Sequence, residues 1–149
     1  MSYTGSKAQS GALTTISIGT TPVVIGEVTD IGQSGKQNKT DDVTNLESLA
    51  EEFIPTLLAP GMFKITMNRV VGDPGQVALL ASFNAQPPTI VPYVITLPKT
   101  ATQTVSGDKY AFIAMVDEME DISSVKADKK ITSTASIKVS GPITFTAGT

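Results

Sequence analysis

Strict alternation of apolar and polar residues is the clearest pattern in this sequence. In MFKITMNR, residues 62–69, Phe63, Ile65 and Met67 alternate with Lys64, Thr66 and Asn68. This period of two predicts a half-buried β-strand. Similar segments, bounded by Gly, Pro or polar clusters, predict further strands at 12–18, 23–31, 90–98, 109–119 and 131–139, with a polar loop at 123–130 and a short last strand at 143–146 after Gly141 and Pro142.

One helix is predicted after Asp73 and Pro74. Asp is a favoured N-cap and Pro a favoured first helical residue, so the helix spans about 74–85. The spacing directs Val77, Leu80, Ala81 and Phe83 toward the sheet.

The segment 46–57 is open to two interpretations. Leu46, Leu49, Phe53 and Leu57 have helical spacing, and Thr44 with Glu47 resembles a capping box. Pro55 interrupts such a helix, and a strand over 51–57 competes with it.

An unusually polar stretch, residues 32–42, precedes that segment. It has no large apolar side chain and carries Lys36, Lys39, Asp41 and Asp42. We interpret it as a long loop that either is a solvated hairpin tip or becomes ordered on a neighbouring subunit, since it has no apolar anchor of its own. In the second case its lysines would meet acids of the next copy, either Asp41 and Asp42 or the cluster at 117–121.

Together these elements predict a mainly β fold, a β-sandwich or barrel with one flanking α-helix. The length of 149 residues fits a single domain, with residues 1–10 as a small, polar, flexible N-terminal arm.

The composition excludes several chemistries. The chain has no His and no Cys, which removes the commonest general base, the Ser-His-Asp triad and the usual zinc ligands. The acidic pairs and the cluster at 117–121 are best explained as solvated surface charge. We therefore predict no catalytic site, no metal and no cofactor.

The net charge of −3 is unevenly distributed. Residues 27–54 hold seven acids against two lysines, and no basic face suited to phosphates is evident, so tight nucleic-acid binding is not expected. Neither a secretory signal nor a membrane-spanning run is present, which predicts synthesis in the cytoplasm and no membrane association.

The order of short motifs resembles the major tail tube proteins of long, non-contractile-tailed bacteriophages. The similar motifs are, in order, EVTDI (27–31) at the end of a strand, DVTNLES (42–48), EEFIP (51–55), APGMFKITM (59–67), GDPGQVALLASF (72–83), YAFIAMVDEME (110–120) and IKVSGPITF (137–145). Each motif is weak alone, and together they cover nearly the whole chain.

The resemblance implies a structural virion protein whose copies form rings of six that stack into a hollow tail tube. It implies DNA passage through the lumen, a location in the virion tail after synthesis in the host bacterium, and tape measure, tail terminator and tail tip proteins as partners. It also implies that the N-terminal arm and the polar loop reach neighbouring subunits, and that residues 50–58 are strand. An acidic lumen would repel DNA, and the lining residues that we expect are Glu27, Asp30, Glu51 and Glu52.

Two alternatives remain at this stage. One is another structural role, either a subunit of a type VI secretion-like tube or a different virion protein. The other is a monomeric β-sandwich binding module, which would stay monomeric at high concentration and bind a ligand such as a glycan.

Overall fold

The computed structural model describes residues 9–149, which form nine strands and one helix. In chain order these are β1 (Thr15–Ile18), β2 (Val23–Val24), β3 (Val28–Ser34), β4 (Gln37–Asp42), β5 (Phe53–Ala59), β6 (Met62–Asn68), α1 (Pro74–Asn84), β7 (Ile90–Thr96), β8 (Lys109–Lys126) and β9 (Lys129–Thr146). Of the predicted N-terminal arm, residues 1–8 lie outside the described residues; Gln9 and Ser10 are exposed.

Seven strands form one antiparallel sheet in the order β2-β1-β7-β8-β9-β6-β3. Strands β4 and β5 pair only with each other among the described residues, as a second, two-stranded sheet. The large sheet curves so that the segment before β1, with Leu13 and Thr14, and the edge strand β3 line the same cleft, of about 600 Å³.

The core lies on the inner face of the curved sheet. Every second residue of the central strands is buried, and these side chains form one cluster with Leu79 of the helix. At its centre Phe112 is stacked between Phe63, with ring centroids 4.8 Å apart, and Tyr93, at 5.8 Å. Burial raises the pKa of the Tyr93 phenol, which therefore stays protonated.

The helix begins where the sequence predicts, but it buries a different face. Asp73 is the N-cap and accepts a hydrogen bond from the Gln76 N–H at 3.0 Å. The buried residues are Gly75, Gln76, Leu79 and Ser82. Of the four residues predicted to face the sheet, Phe83 is half-buried and packs against the core, Leu80 is half-buried, and Val77 and Ala81 are exposed. Gln76 determines this face, because its side chain donates to the carbonyls of Gly26 and Asn68 and accepts from the Val70 N–H.

The strand predicted over 23–31 is divided in two. Glu27 adopts a left-handed conformation with φ of 59°, and its carbonyl accepts a hydrogen bond from the Asn68 N–H at 2.8 Å. The Gly26 N–H is directed to the Asp73 carboxylate at 3.1 Å. The backbone groups of residues 26–27 therefore hydrogen-bond to the helix N-cap residue and to Asn68 of β6, and regular pairing with β6 begins only at Val28.

The prediction of a loop over 32–42 is wrong for most of its length. Strand β3 continues to Ser34, and β4 occupies Gln37–Asp42, so only Gly35 and Lys36 lie between the strands. The prediction failed because ladder hydrogen bonds join backbone groups and form without apolar side chains. The strand interpretation, over 51–57, is correct from Phe53 onward, and β5 continues to Ala59; the helix interpretation is wrong.

The last two strands are longer than predicted. Residues 123–130 are mostly strand, and β8 and β9 form one long hairpin that turns at Ala127 and Asp128. Gly141 and Pro142 do not end β9; two extra residues are accommodated there as a bulge, with Gly141 at φ of 83°.

Two extensions leave the large sheet at opposite ends of β6. At one end Met62 pairs with Ser34, next to the β4–β5 sheet; at the other Asn68 pairs with Thr132, next to the β8–β9 turn. These ends are about 20 Å apart, at roughly 3.3 Å per residue. We call residues 37–59 the ribbon and residues 126–130 the hairpin tip.

Candidate subunit interface

The ribbon is a two-stranded extension joined to the sheet by two glycines. Gly35 and Gly61 face each other at the junction with φ of 75° and 85°. A Cβ at Gly61 would collide with the Ser34 carbonyl oxygen and the Lys36 nitrogen. The junction is therefore restricted to glycine at this position.

Both faces of the ribbon expose large apolar side chains. Phe53 is 68% exposed and Leu58 50% exposed, and because they pair with Asp42 and Asn38 both point to one face of the ribbon. Ile54, next to Phe53 along the strand, points to the other face and is 47% exposed, and Leu57, at the bulge in β5, is 79% exposed. A two-stranded sheet is at best marginally stable alone in water, and exposed apolar surface of this kind marks interaction sites. The ribbon thus has the chemistry of a sheet that is covered on both faces by other molecules.

The loop that closes the ribbon, residues 43–52, is held by its own hydrogen bonds. The Val43 N–H donates to the Glu52 carbonyl at 3.0 Å, and the Glu52 N–H donates to the Thr44 hydroxyl at 2.8 Å. The Ser48 hydroxyl donates to the Glu52 carboxylate at 2.9 Å. Although the loop is ordered in this way, Leu46 and Leu49 at its tip are fully exposed.

Asp42 begins this loop and has a shifted pKa. The Thr44 hydroxyl and the Thr44 N–H, which donates to Asp42 Oδ1 at 2.8 Å, lower the pKa of Asp42 below its ordinary value. Hydrogen bonds to an ionised carboxylate favour the charged form. The loop is therefore stabilised with Asp42 negative.

The four residues assigned to the inter-subunit segment all lie on the ribbon or at its junction. Lys36 is in the turn after β3 and lines the cleft between the sheet edges, and Lys39 lies at a β-bulge. Asp41 and Asp42 are opposite Ile54 and Phe53 in the ladder. Lys36 and Asp42 are separated by the length of β4, about 20 Å at roughly 3.3 Å per residue.

The four residues expected to line a lumen fall into two separate groups. Glu27 is at the corner before β3, where its side chain accepts from Asn68 Nδ2 at 3.1 Å, and Asp30 is exposed on β3. Glu51 and Glu52 are at the far end of the ribbon, beyond Phe53. Within one subunit, the ribbon separates the two groups.

Sequence reasoning missed the residues that most distinguish this region. Neither the helix nor the strand interpretation of this segment predicts the apolar side chains of β5 and of the closing loop as exposed contacts. A signal was present: FIPTLLA has apolar residues at successive positions, which fits a strand covered on both faces, and Pro55 excludes a helix interior.

Among residues 9–149, no group of three or more metal-ligating side chains occurs. The helix found there, 11 residues long, does not have the length and apolar character needed to cross a membrane.

The chain matches no protein-family model and no curated protein sequence. It is similar to several solved structures. One is a chain from the tail of an empty gene transfer agent particle, refined with C6 symmetry; the identity is 16%, covering 94% of this chain and 100% of the other, with a TM-score of 0.71.

A second similar chain comes from the sheath-tube complex of an extracellular contractile injection system, PVC, in the extended state. It is 9% identical, over 95% of this chain and 93% of the other, with a TM-score of 0.72. A third is Hcp1 from Flavobacterium johnsoniae, 13% identical over 91% and 96% of the two chains, with a TM-score of 0.52. At these identities the similarity establishes the fold. It confirms the predicted mainly β architecture with one flanking helix as the tail tube and Hcp type of fold.

Proposed function

We propose that this protein is the subunit of a hollow tube in a phage-type tail. Copies associate into rings, and rings stack into the tube. The role is structural, and the protein catalyses no reaction. The tube belongs to a virion tail of the long, non-contractile type and guides DNA during ejection.

The observation that carries the proposal is the ribbon with apolar side chains exposed on both faces. Phe53 and Leu58 on one face, with Ile54 on the other, need two covering surfaces. A subunit inside a tube has neighbours beside it and above or below it, and can supply both. A monomeric binding module explains one exposed face but leaves the second uncovered.

The similar structures support both the tube and its symmetry. They come from a gene transfer agent tail with C6 symmetry, a sheath-tube complex and a tube terminating cap. A ring of six follows by analogy. A tape measure protein inside the tube, and terminator and tip proteins at its ends, complete the proposed set of partners.

The proposal also assigns a role to Glu27, Asp30, Glu51 and Glu52. Contributed by successive subunits, the two acidic groups would form bands along the lumen. Negative charge there repels phosphate groups within about one Debye length, ~8 Å at physiological salt, and keeps DNA from adhering.

Electron microscopy of the purified protein tests the proposal. Wild-type protein should form hollow filaments of uniform width as its concentration rises. A variant without the ribbon can be designed by removing residues 36–60. This deletion joins Gly35 directly to Gly61, between Ser34 and Met62, which already pair in the sheet. A Gly-Gly pair with two positive φ angles suits a two-residue hairpin turn. This variant should remain a folded monomer without filaments; wild-type protein that stays monomeric at high concentration contradicts the proposal.

A second candidate function is a tube subunit of a secretion system of the Hcp type. The similarity to Hcp1 favours it, although the TM-score of 0.52 is lower than those of the tail and injection-system chains. Encapsidated DNA in particles that carry these tubes supports the virion tail, and tubes that occur only in DNA-free secretion complexes support the second candidate.

A further inference from the structure

An apolar cavity of about 340 Å³ lies between α1 and β8, at the end of the sheet that carries the hairpin tip. Its apolar lining includes Val71, Val77, Leu80, Met119 and Ile122. Val71, Val77 and Ile122 are largely exposed, so the cavity is open to solvent. Its volume is about ten times the ~30 Å³ that one water molecule occupies in the liquid, which is enough for aliphatic side chains.

The closing loop of the ribbon carries apolar side chains that could fill such a cavity, and the ribbon joins the sheet at the opposite end. We call this loop the insert. Leu46 and Leu49 project from a loop that hydrogen bonds already order. An insert that is ordered before it binds loses little conformational entropy on docking. Leucine side chains also have the size and polarity that an aliphatic cavity accepts.

The charges around the two features are complementary. Residues 41–52 carry five acids and no base. The hairpin tip carries Lys126, Lys129 and Lys130 against Asp128, and Arg69 lines the cavity. Asp121 also lines the cavity, and Asp117, Glu118 and Glu120 lie farther down β8 on the hairpin stem. The lining therefore has one charge of each sign, and the net positive charge is at the hairpin tip.

The position of the two features fixes the kind of contact. Insert and cavity are different surfaces next to opposite ends of β6, so the contact that joins them uses one surface from each copy. A head-to-tail arrangement satisfies them, and it leaves a free insert and a free cavity after every addition.

We infer that the ribbon loop of one subunit inserts Leu46 and Leu49 into the α1–β8 cavity of a second copy, with its acids against that copy's hairpin lysines. This inference rests on the proposed function and specifies the surfaces that join successive copies. The ribbon faces contact other parts of the neighbouring subunits.

Cysteine cross-linking tests the contact directly, because the natural chain has no cysteine. Two single variants, Leu49→Cys and Ile122→Cys, are mixed, allowed to assemble, and treated with a short thiol-to-thiol cross-linker. Covalent dimers should form in the mixture and not with either variant alone. Val105→Cys is the matched control: it is an exposed apolar residue in the loop before β8, away from the hairpin tip, and should give no dimer with Leu49→Cys.

Charge reversal tests the electrostatic part. Glu47→Lys with Glu51→Lys, and separately Lys129→Glu with Lys130→Glu, should each raise the critical concentration for assembly at least tenfold. The quadruple variant has the net charge of the wild type and should return to within threefold of it. Lys99→Glu with Lys109→Glu changes the net charge as much as the hairpin reversal does, but at sites away from the hairpin tip, and should have little effect.

The outcomes separate this inference from the proposed function. If wild-type protein forms no tubes, the proposed function fails. Tubes that form normally in both reversed variants, give no Leu49–Ile122 cross-link, or are disrupted equally by the Lys99 and Lys109 control overturn this inference and leave the proposed function standing. Lack of rescue by the quadruple variant overturns the charge pairing.

Discussion

The body of the sheet and the ribbon use the same kinds of side chain in opposite ways. Ile65 and Ile137 are completely buried on the inner face of the sheet, whereas Phe53 and Leu57 of the ribbon are mostly in solvent. The body contains enough strands to surround its apolar face, with a helix packed on it; the ribbon has two strands and no layer on either side. The number of packed layers, rather than residue type, thus decides which part of this chain can bury its apolar side chains within one subunit.

The largest effect on this contrast should come from the aromatic stack in the body. Phe112→Ala removes the ring between Phe63 and Tyr93 and should lower the free energy of unfolding by about 3–5 kcal/mol. Urea denaturation of the monomer, below the concentration at which it assembles, measures this. A loss under about 1 kcal/mol would mean that the core is not packed as described.

Gln76 should show the next largest effect. Gln76→Leu leaves the carbonyls of Gly26 and Asn68 and the Val70 N–H without this partner, and should reduce the free energy of unfolding by about 1–3 kcal/mol. Gln37→Leu on the exposed strand β4 is the matched control and should change it by less than about 0.5 kcal/mol. Equal effects at both positions would remove the distinction between body and ribbon.

Leu57→Ser should barely affect the monomer. Because Leu57 is exposed, its replacement should alter the free energy of unfolding by less than about 0.5 kcal/mol while impairing filament formation. Leu79→Ser, which replaces the buried leucine of α1, is the reference and should destabilise the monomer strongly. A loss above about 2 kcal/mol for Leu57→Ser would show that the ribbon packs on its own body.

The smallest effect concerns one carboxyl group in the closing loop. Thr44→Val removes the hydroxyl that lowers the pKa of Asp42, so that pKa should rise toward 3.8, as measured by carbon NMR across a pH titration. Because the folded-state pKa is lowered, the stabilisation is present above the unfolded-state pKa and is lost as the pH falls through the folded-state value. An unchanged pKa in the variant would assign the shift to the Thr44 N–H alone.

The sequence predicts those elements whose side-chain pattern reflects local burial. β6 was predicted over 62–69 and occupies Met62–Asn68, because its residues alternate between core and solvent. The helix start was also predicted, because the Asp73 cap and Pro74 act within one turn. Both signals depend on neighbours in sequence.

Elements that depend on distant partners were missed. The buried face of α1 includes the polar Gln76, whose partners Gly26 and Asn68 belong to other segments. β4 has no apolar pattern and exists as a strand because β5 provides its backbone partners. The apolar residues of the candidate interface left helix and strand both open, because exposure on both sides of a strand makes sense only when a neighbouring molecule is considered.

The placement of the ribbon and the hairpin tip at opposite ends of β6 has a consequence for any growing filament. One terminus would present unoccupied leucine-tipped loops, and the other would present empty cavities together with the lysine-bearing hairpin tips, so the two termini would differ in shape and in charge. A factor that starts the filament must therefore imitate one of these surfaces, and a factor that stops it must imitate the other. No single factor would bind both ends of the filament.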